Sequence, residues 1–431
     1  MLIREFFGRK FIRVLRIIGV LFLIFWGGYT FFLLEYCPTR IFAHDEFGSS
    51  PVIDPNRVDR SYTLFSPFVA SENYEGSGRV YLVDLFGKPV HTWETRYQTL
   101  YSQLERNGNI VVAMIVPDDI FSSPGGGQTG LIQELDWQGK VLWEYQHEFM
   151  HHDFDILPNG NIALMVWEKA PLTFSEKVRG GLTDPKVSSD IVWADSVIEV
   201  NREGQAVWVW HAYEHLDPTA YVLGPMTPRS EWTHANSIRY FGRNPLNGKE
   251  GFLVSMRHLN RIILIDKDDG SVSWESSEGT FTYQHDATLL PNGHILGFDN
   301  GLFREQRRPF HWSRVIEVDP ETNKIVWEWN GGDTGIEKAG FAASIMSGAQ
   351  RLKNGNTLIT HSLAGRLFEV DPKGKIVWDF VNPWAASLQT GPFRNTAIFK
   401  ARRYSPDEIS WPEFISDPFP RVATACFLLE K

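Results

Sequence analysis

Histidines carry the first chemical signal in this chain. HDFDILPNGN, His152 to Asn161, recurs as HDATLLPNGH, His285 to His294, at an offset of 133 residues. A third histidine, His234, opens the related segment that lies between them. A neutral imidazole has a free lone pair near neutral pH, its ordinary pKa being about 6.5. Histidines that converge can therefore supply a nucleophile, an acid and a base. A single histidine is more often a satisfied polar group in a core. Three at one repeat position, where other copies hold Leu100 or Ser347, favour a site. Zinc is the rival chemistry. No HExxH-type spacing is present, although three histidines from three repeats are enough for an open zinc site.

A repeat must position these rings. Six hairpins of the form strand–Asp/Asn–turn–strand end in Trp93, Trp143, Trp208, Trp274, Trp327 and Trp378, at steps of 50, 65, 66, 53 and 51 residues. Between them lie hairpins built on Asn-Gly turns: RNGN at Arg106, PNGN at Pro158, PNGH at Pro291 and KNGN at Lys353. Two hairpins per period of roughly 50 residues make a four-stranded sheet, the unit of a β-propeller. The expected fold is all-β, a six-bladed propeller over residues 62–431. The last segment, FRNTAIFKARRY, would complete the first blade and remove the sheet edges. The repeated tryptophans read as packing between blades. Residues 116–130 and 168–190 read as long loops of the kind that line sites. Asp153 and Asp286 follow their histidines directly. Alternation along a strand would turn them to the opposite face, so they read as turn residues.

The N-terminus reads differently. Arg4, Arg9, Lys10, Arg13 and Arg16 precede an uncharged run of 18 residues, Ile17 to Leu34. As a helix that run would be about 27 Å long, close to one bilayer core. Residues 1–36 are therefore expected to be a basic segment and a transmembrane signal anchor, with 37–61 a stem. The basic flank places the N-terminus in the cytoplasm and the propeller outside, in the periplasm. A cleaved signal peptide is the alternative. After residue 36 the net charge is −13, against −10 for the whole chain, which disfavours nucleic acid as a partner. Cys37 and Cys426 are the only cysteines, either a disulfide or two free thiols.

WTHANS (Trp232 to Ser237), then LVSMRHLNRIILID and YQHDATLLPNG, with HHDFDILPNGN upstream, resembles the arylsulfate sulfotransferases. The resemblance spans roughly Tyr62 to Tyr404. It implies an exported six-bladed propeller that moves a sulfuryl group from a phenolic sulfate ester to a phenol, with no nucleotide donor and no cofactor or metal. It implies ping-pong transfer through a sulfohistidine at His285. By position, His234 and Asn236 match the family's H-x-N pair, Arg257 its sulfate-binding arginine and His152 its upstream histidine. Adjacent His151 leaves that register open, and His151 and Tyr283 are further substrate-binding candidates. Tyr283, Phe303 and Trp312 are candidate covers for an aromatic ring. The chain lacks the large N-terminal β domain of long members. A binding or scaffold propeller without chemistry is the alternative function, and a His-ligated metal hydrolase a third.

Overall fold

The computed structural model describes residues 52–68, 78–117, 120, 124–183, 191–304, 311–332, 335–384, 386–387, 394–412 and 415. The expected anchor, most of the stem, Cys37 and Cys426 lie outside them. Among the described residues no helix is long and apolar enough to cross a membrane.

Six antiparallel sheets form the blades of a propeller. From inner to outer strand, blade 1 is Arg402–Tyr404, Tyr62–Phe65, Gly78–Val83 and Pro89–Thr95. Blade 2 is Thr99–Leu104, Ile110–Ile115, Gly130–Leu135 and Val141–Gln146. Blade 3 is Met150–Ile156, Ile162–Lys169, Trp193–Val200 and Ala206–His211. Blade 4 is Ala235–Phe241, Gly251–Met256, Arg261–Asp266 and Val272–Glu275. Blade 5 is His285–Leu289, Ile295–Asp299, Arg314–Asp319 and Lys324–Trp329. Blade 6 is Gly348–Arg351, Thr357–His361, Arg366–Val370 and Ile376–Val381, with Val52–Ile53 added outside. Blade 1 combines the late strand Arg402–Tyr404 with three early ones, as the two hairpin types at the chain's ends implied.

The turn residues act locally. At the Asn-Gly turns the asparagine side chain accepts from the backbone two residues on, as in Asn161 N–H to Asn159 Oδ1 at 3.0 Å. In four of the Trp hairpins the Asp or Asn after the third strand, Asp84, Asp136, Asn201 and Asp371, accepts from two N–H groups of its own turn. Asp371 accepts from Lys373 and Lys375, at 3.0 and 2.9 Å.

Each interface between neighbouring blades holds its own apolar cluster, so middle strands are buried on both faces. The tryptophans fasten these interfaces as expected. Trp93, Trp143, Trp208, Trp327 and Trp378 each donate Nε1–H to a turn carbonyl of the next blade, at 2.8–3.3 Å. Trp378 to Leu85 O, at 2.8 Å, closes the ring from blade 6 to blade 1. Trp274 is the exception, its buried Nε1 having no acceptor among the described residues.

This difference predicts unequal costs for the same substitution. Trp378→Phe removes a bonded indole and should cost about 1 kcal/mol more than Trp274→Phe, in line with one net hydrogen bond. Urea unfolding of the two variants measures it, and equal costs would show that the ring-closing bond contributes nothing.

Candidate active site

The site is built where the inner strands of blades 3, 4 and 5 begin. Each of these strands carries a bulge or irregularity in its first residues, marked by register shifts at Leu164/Met165, Ala235/Ser237 and His285/Thr288. His152, His234, Tyr283 and Asp286 all have φ between 44° and 54°, a left-handed conformation costly for residues with a Cβ. The bulges turn successive side chains toward the axis instead of letting them alternate.

His285 is fully enclosed, and a fixed amide sets its tautomer. Asn300 Nδ2 donates to Ala343 O at 2.8 Å and Met346 O at 3.0 Å, so its Oδ1 faces His285 Nδ1 at 2.7 Å. A carbonyl oxygen can only accept, hence Nδ1 holds the proton and Nε2 the lone pair. Nε2 receives the Met346 N–H, at 3.2 Å. Burial and the Arg257 charge push the His285 pKa down to about 3, so the ring is neutral near pH 7.

His152 and His234 face one another, ring centroids 4.8 Å apart. Burial holds both well below the ordinary histidine range, and the Arg257 charge adds to the effect on each. His234 Nδ1 lies 2.7 Å from Glu231 Oε1. Burial and repulsion from Asp195 hold the Glu231 carboxyl well above the usual range. His234 is therefore neutral near pH 7, and a Glu231 carboxyl with a raised pKa is suited to share a proton with its Nδ1.

His151 and His152 have different surroundings. His151 is fully buried and stacked on Trp167, centroids 4.1 Å apart, with Nδ1 2.9 Å from His152 Nδ1 and Nε2 3.1 Å from Asp195 Oδ1. Its contacts are with protein groups, whereas the His152 ring faces that of His234.

Arg257 occupies the turn after Gly251–Met256 in blade 4, the turn being tied to His234 O by its own N–H at 3.2 Å. Its guanidinium lies over the Tyr283 ring at 4.5 Å and donates Nη1–H to His258 Nε2 at 2.9 Å. Its buried Nε has no hydrogen-bond partner among the described residues. The charge is permanent and incompletely satisfied, as an oxyanion site requires. Asn236 presents one end of its amide only. Its Nδ2 is committed to Gln284 O at 2.8 Å, and the atom left without a partner is the acceptor Oδ1. Phe303, 45% exposed, packs edge-on against Tyr283 at 5.4 Å and fits the role of apolar cover. Trp312 instead packs with Arg304 at 5.4 Å.

Glu231, His234 and His258 bring donor atoms within 4.8 Å of one another. They fit a metal ion poorly. His258 Nδ1 donates to Glu231 O at 2.6 Å, and Nε2 already accepts from the Arg257 guanidinium, a cation where an ion would sit.

Asp153 and Asp286 are not turn residues. The bulges carry them inward, where Lys400 Nζ lies 2.7 Å from Asp153 and 3.2 Å from Asp286. Alternation failed as a guide because it holds only for unbulged strands.

With this geometry in hand, a family comparison is decisive. A model of the arylsulfotransferase (ASST) family matches residues 112–383. The chain belongs to this family. The match covers blades 3, 4 and 5 and so the site histidines, Glu231, Arg257 and Asn300, while Lys400 lies beyond it. No curated protein matches the chain in a sequence search. Similar solved structures include a protein of unknown function from Bacteroides caccae (14% identity, TM-score 0.47, 80% of this chain and 99% of that one). Others are apo AztD from Citrobacter koseri (11%, 0.39, 80% and 99%) and a virginiamycin B lyase from Staphylococcus aureus (10%, 0.37, 74% and 88%).

Glu231, Asp195, His258 and Asn300 were missed from sequence. Glu231 stands three residues before His234, and His258 directly follows Arg257. Asn300 and Asp195 have no local signature. The long loop 116–130 does reach the site, and it explains the glycine run. A Cβ on Gly125 would stand 2.2 Å from Glu231 Oε1, and one on Gly127 2.2 Å from His152 Nε2, whereas Gly126 faces open space.

Two predictions follow from this packing. Gly127→Ala should lower kcat/KM by about 100-fold through displacement of His152, with Gly126→Ala near wild type; comparable losses in both would show that the loop does not pack on the ring. The buried neutral histidines also link folding to pH. His258 and His285 have folded pKa values of about 3 against an ordinary 6.5. The unfolded chain binds more protons in that interval, so stability should fall as pH drops from about 6.5 toward 3. His258→Gln should flatten the slope in urea titrations across this range, and an unchanged slope would contradict it.

Proposed function

We propose that the protein is an aryl-sulfate sulfotransferase that moves a sulfuryl group from a phenolic sulfate ester to a phenol-type acceptor, without a nucleotide donor, through a sulfohistidine at His285. The observation that carries the reading is the His285 ring itself. It is neutral, held in one tautomer by Asn300, and lies within the electrostatic reach of an incompletely satisfied Arg257.

In the first half-reaction His285 Nε2 forms an N–S bond as the S–O bond to the aryl group breaks, the electron pair leaving on the phenolate oxygen. That oxygen takes the His234 Nε2 proton while the Glu231 carboxyl proton passes to His234 Nδ1. The products are sulfo-His285, a phenol and a Glu231 carboxylate. The acceptor reverses these steps: its proton passes to His234, Glu231 is reprotonated, and the acceptor oxygen bonds to sulfur as the N–S bond breaks. The transferred group resembles a phosphoryl group, loose at its centre with charge on its oxygens, so fixed cations contribute most. Arg257 and the donor N–H groups of His152 and His234 suit that task. Asn236 Oδ1, an acceptor, suits the hydroxyl of the incoming phenol rather than a sulfate oxygen. An N-terminal anchor would hold the propeller on the periplasmic side of the inner membrane.

Donor and acceptor series test this. The wild type should transfer sulfate from 4-nitrophenyl sulfate to phenol with no nucleotide added, and sulfated His285 should be trapped by mass spectrometry. His285→Ala should lose transfer. Glu231→Gln should slow transfer about 100-fold from phenyl sulfate, whose leaving group needs a proton, and far less from 4-nitrophenyl sulfate. Full activity in His285→Ala would end the covalent reading, and equal losses for both donors in Glu231→Gln would remove the proton relay.

A further inference from the structure

Between blades 4 and 5 lies a cavity of about 670 Å³. Its walls come from the segment at Tyr221 and Val222, the blade 4 turn at Leu259 to Arg261, the linker at Phe281, and Phe303 and Arg314 of blade 5. It adjoins the turn that carries Arg257. Arg257 and Arg261 flank one tight turn, and Asn260 within that turn accepts from the Tyr283 N–H at 2.9 Å. Phe303 lines the cavity and also touches the Tyr283 ring that underlies Arg257.

The cavity falls within the size range of small-molecule sites, about 300–1,000 Å³. Its chemistry is mixed in a particular way. Tyr221, Phe281 and Phe303 offer aromatic surface. Arg261, Arg304 and Arg314 are largely buried, and the buried carboxylate among them is Asp299, which pairs with Arg304 and Arg314 at 2.6 and 2.7 Å. The remaining acidic groups stand nearer water, Glu278 at 92% exposure, Glu275 at 44% and Glu328 at 32%, the last paired with Arg314 at 2.9 Å. Arg261 is 13% exposed, its nearest carboxylate oxygens are 3.9 and 4.0 Å away, and its buried Nε has no hydrogen-bond partner among the described residues. Charges in water are screened, whereas a buried guanidinium is not, so the inner wall favours an anion.

We infer that this cavity is an aryl subsite for phenols of two or more rings that carry an anionic substituent, a carboxylate or a second sulfate, with Arg261 binding that substituent. The inference rests on the sulfuryl-transfer reading for the position of the reacting hydroxyl, which would reach His285 past Phe303 while the distal anion meets Arg261. A planar fork pairs with either anion in the same bidentate geometry.

The probes are phenol, neutral 4-phenylphenol and anionic 4′-hydroxybiphenyl-4-carboxylate. The wild type should prefer the carboxylate over 4-phenylphenol in kcat/KM by about tenfold, the scale of one charge-assisted contact. Arg261→Gln should erase that preference, and Arg261→Lys should restore part of it. No preference in the wild type, or equal losses with all three acceptors in Arg261→Gln, would overturn the subsite. Equilibrium binding of the carboxylate, followed by fluorescence titration, separates the two readings. Binding weakened about tenfold in Arg261→Gln supports the subsite even in a protein that transfers no sulfate. Binding indifferent to Arg261 removes the subsite even where transfer proceeds.

Discussion

The structure depends on a cluster of charges buried on the propeller axis. Asp153 of blade 3 and Asp286 of blade 5 share Lys400 from the late segment of the chain and Arg239 from blade 4, and Asp286 also pairs with Arg402. Tyr101 of blade 2 accepts from both Arg239 and Arg402 at 3.2 Å. Burial alone would raise the Asp286 pKa, yet the charges of Arg402, Lys400 and Arg239 outweigh it and hold the carboxyl well below the usual range. Removing one member of such a set strands its partners without water, at about 3–5 kcal/mol. Apolar clusters bind each blade to its neighbours, but these side chains cross the axis and bind blades that do not touch. Because Asp153 and Asp286 each follow a site histidine, the cluster also sets the angle at which His152 and His285 enter the channel.

The site above this cluster holds one fixed cation among neutral rings. Four histidines are held neutral by burial, and burial and Asp195 push the Glu231 carboxyl well above its usual range. Arg257, its Nε without a partner among the described residues, is a local positive charge suited to the anionic ester proposed above. This reconciles an acidic protein with an anionic substrate, since surface charges act through water and salt that screen them over about 8–10 Å.

The architecture was legible because its signals are local. An aspartate that accepts from its own turn, an Asn-Gly corner and a tryptophan every blade need only nearby sequence, and they recovered six blades and the shared closing blade. The histidines were legible because a repeat makes exceptions visible: His152, His234 and His285 stand where Leu100 and Ser347 stand elsewhere. What escaped depends on partners in distant blades. Asn300 shows its role only when the carbonyls of Ala343 and Met346 are seen to orient its amide. Asp195 is paired with His151 across blade 3. Asp153 and Asp286 were misread for a different reason: a bulge overrides the two-residue period, and nothing in their sequence marks the bulge. The anchor expected at residues 17–34 lies outside the described residues.

The closing strand has a consequence for biogenesis. Arg402–Tyr404 supplies the innermost strand of blade 1, and Lys400 lies directly beneath the histidines. Pairing Tyr62 with Tyr404 joins positions more than 300 residues apart, a loop whose entropy is lost before any contact repays it. During synthesis, and during any export, the earlier blades can assemble side by side, yet Asp153 and Asp286 have no lysine between them. Competence is thus conferred by nearly the last described part of the chain to emerge, and an incomplete polypeptide presents an open, inactive arc rather than a weakened enzyme.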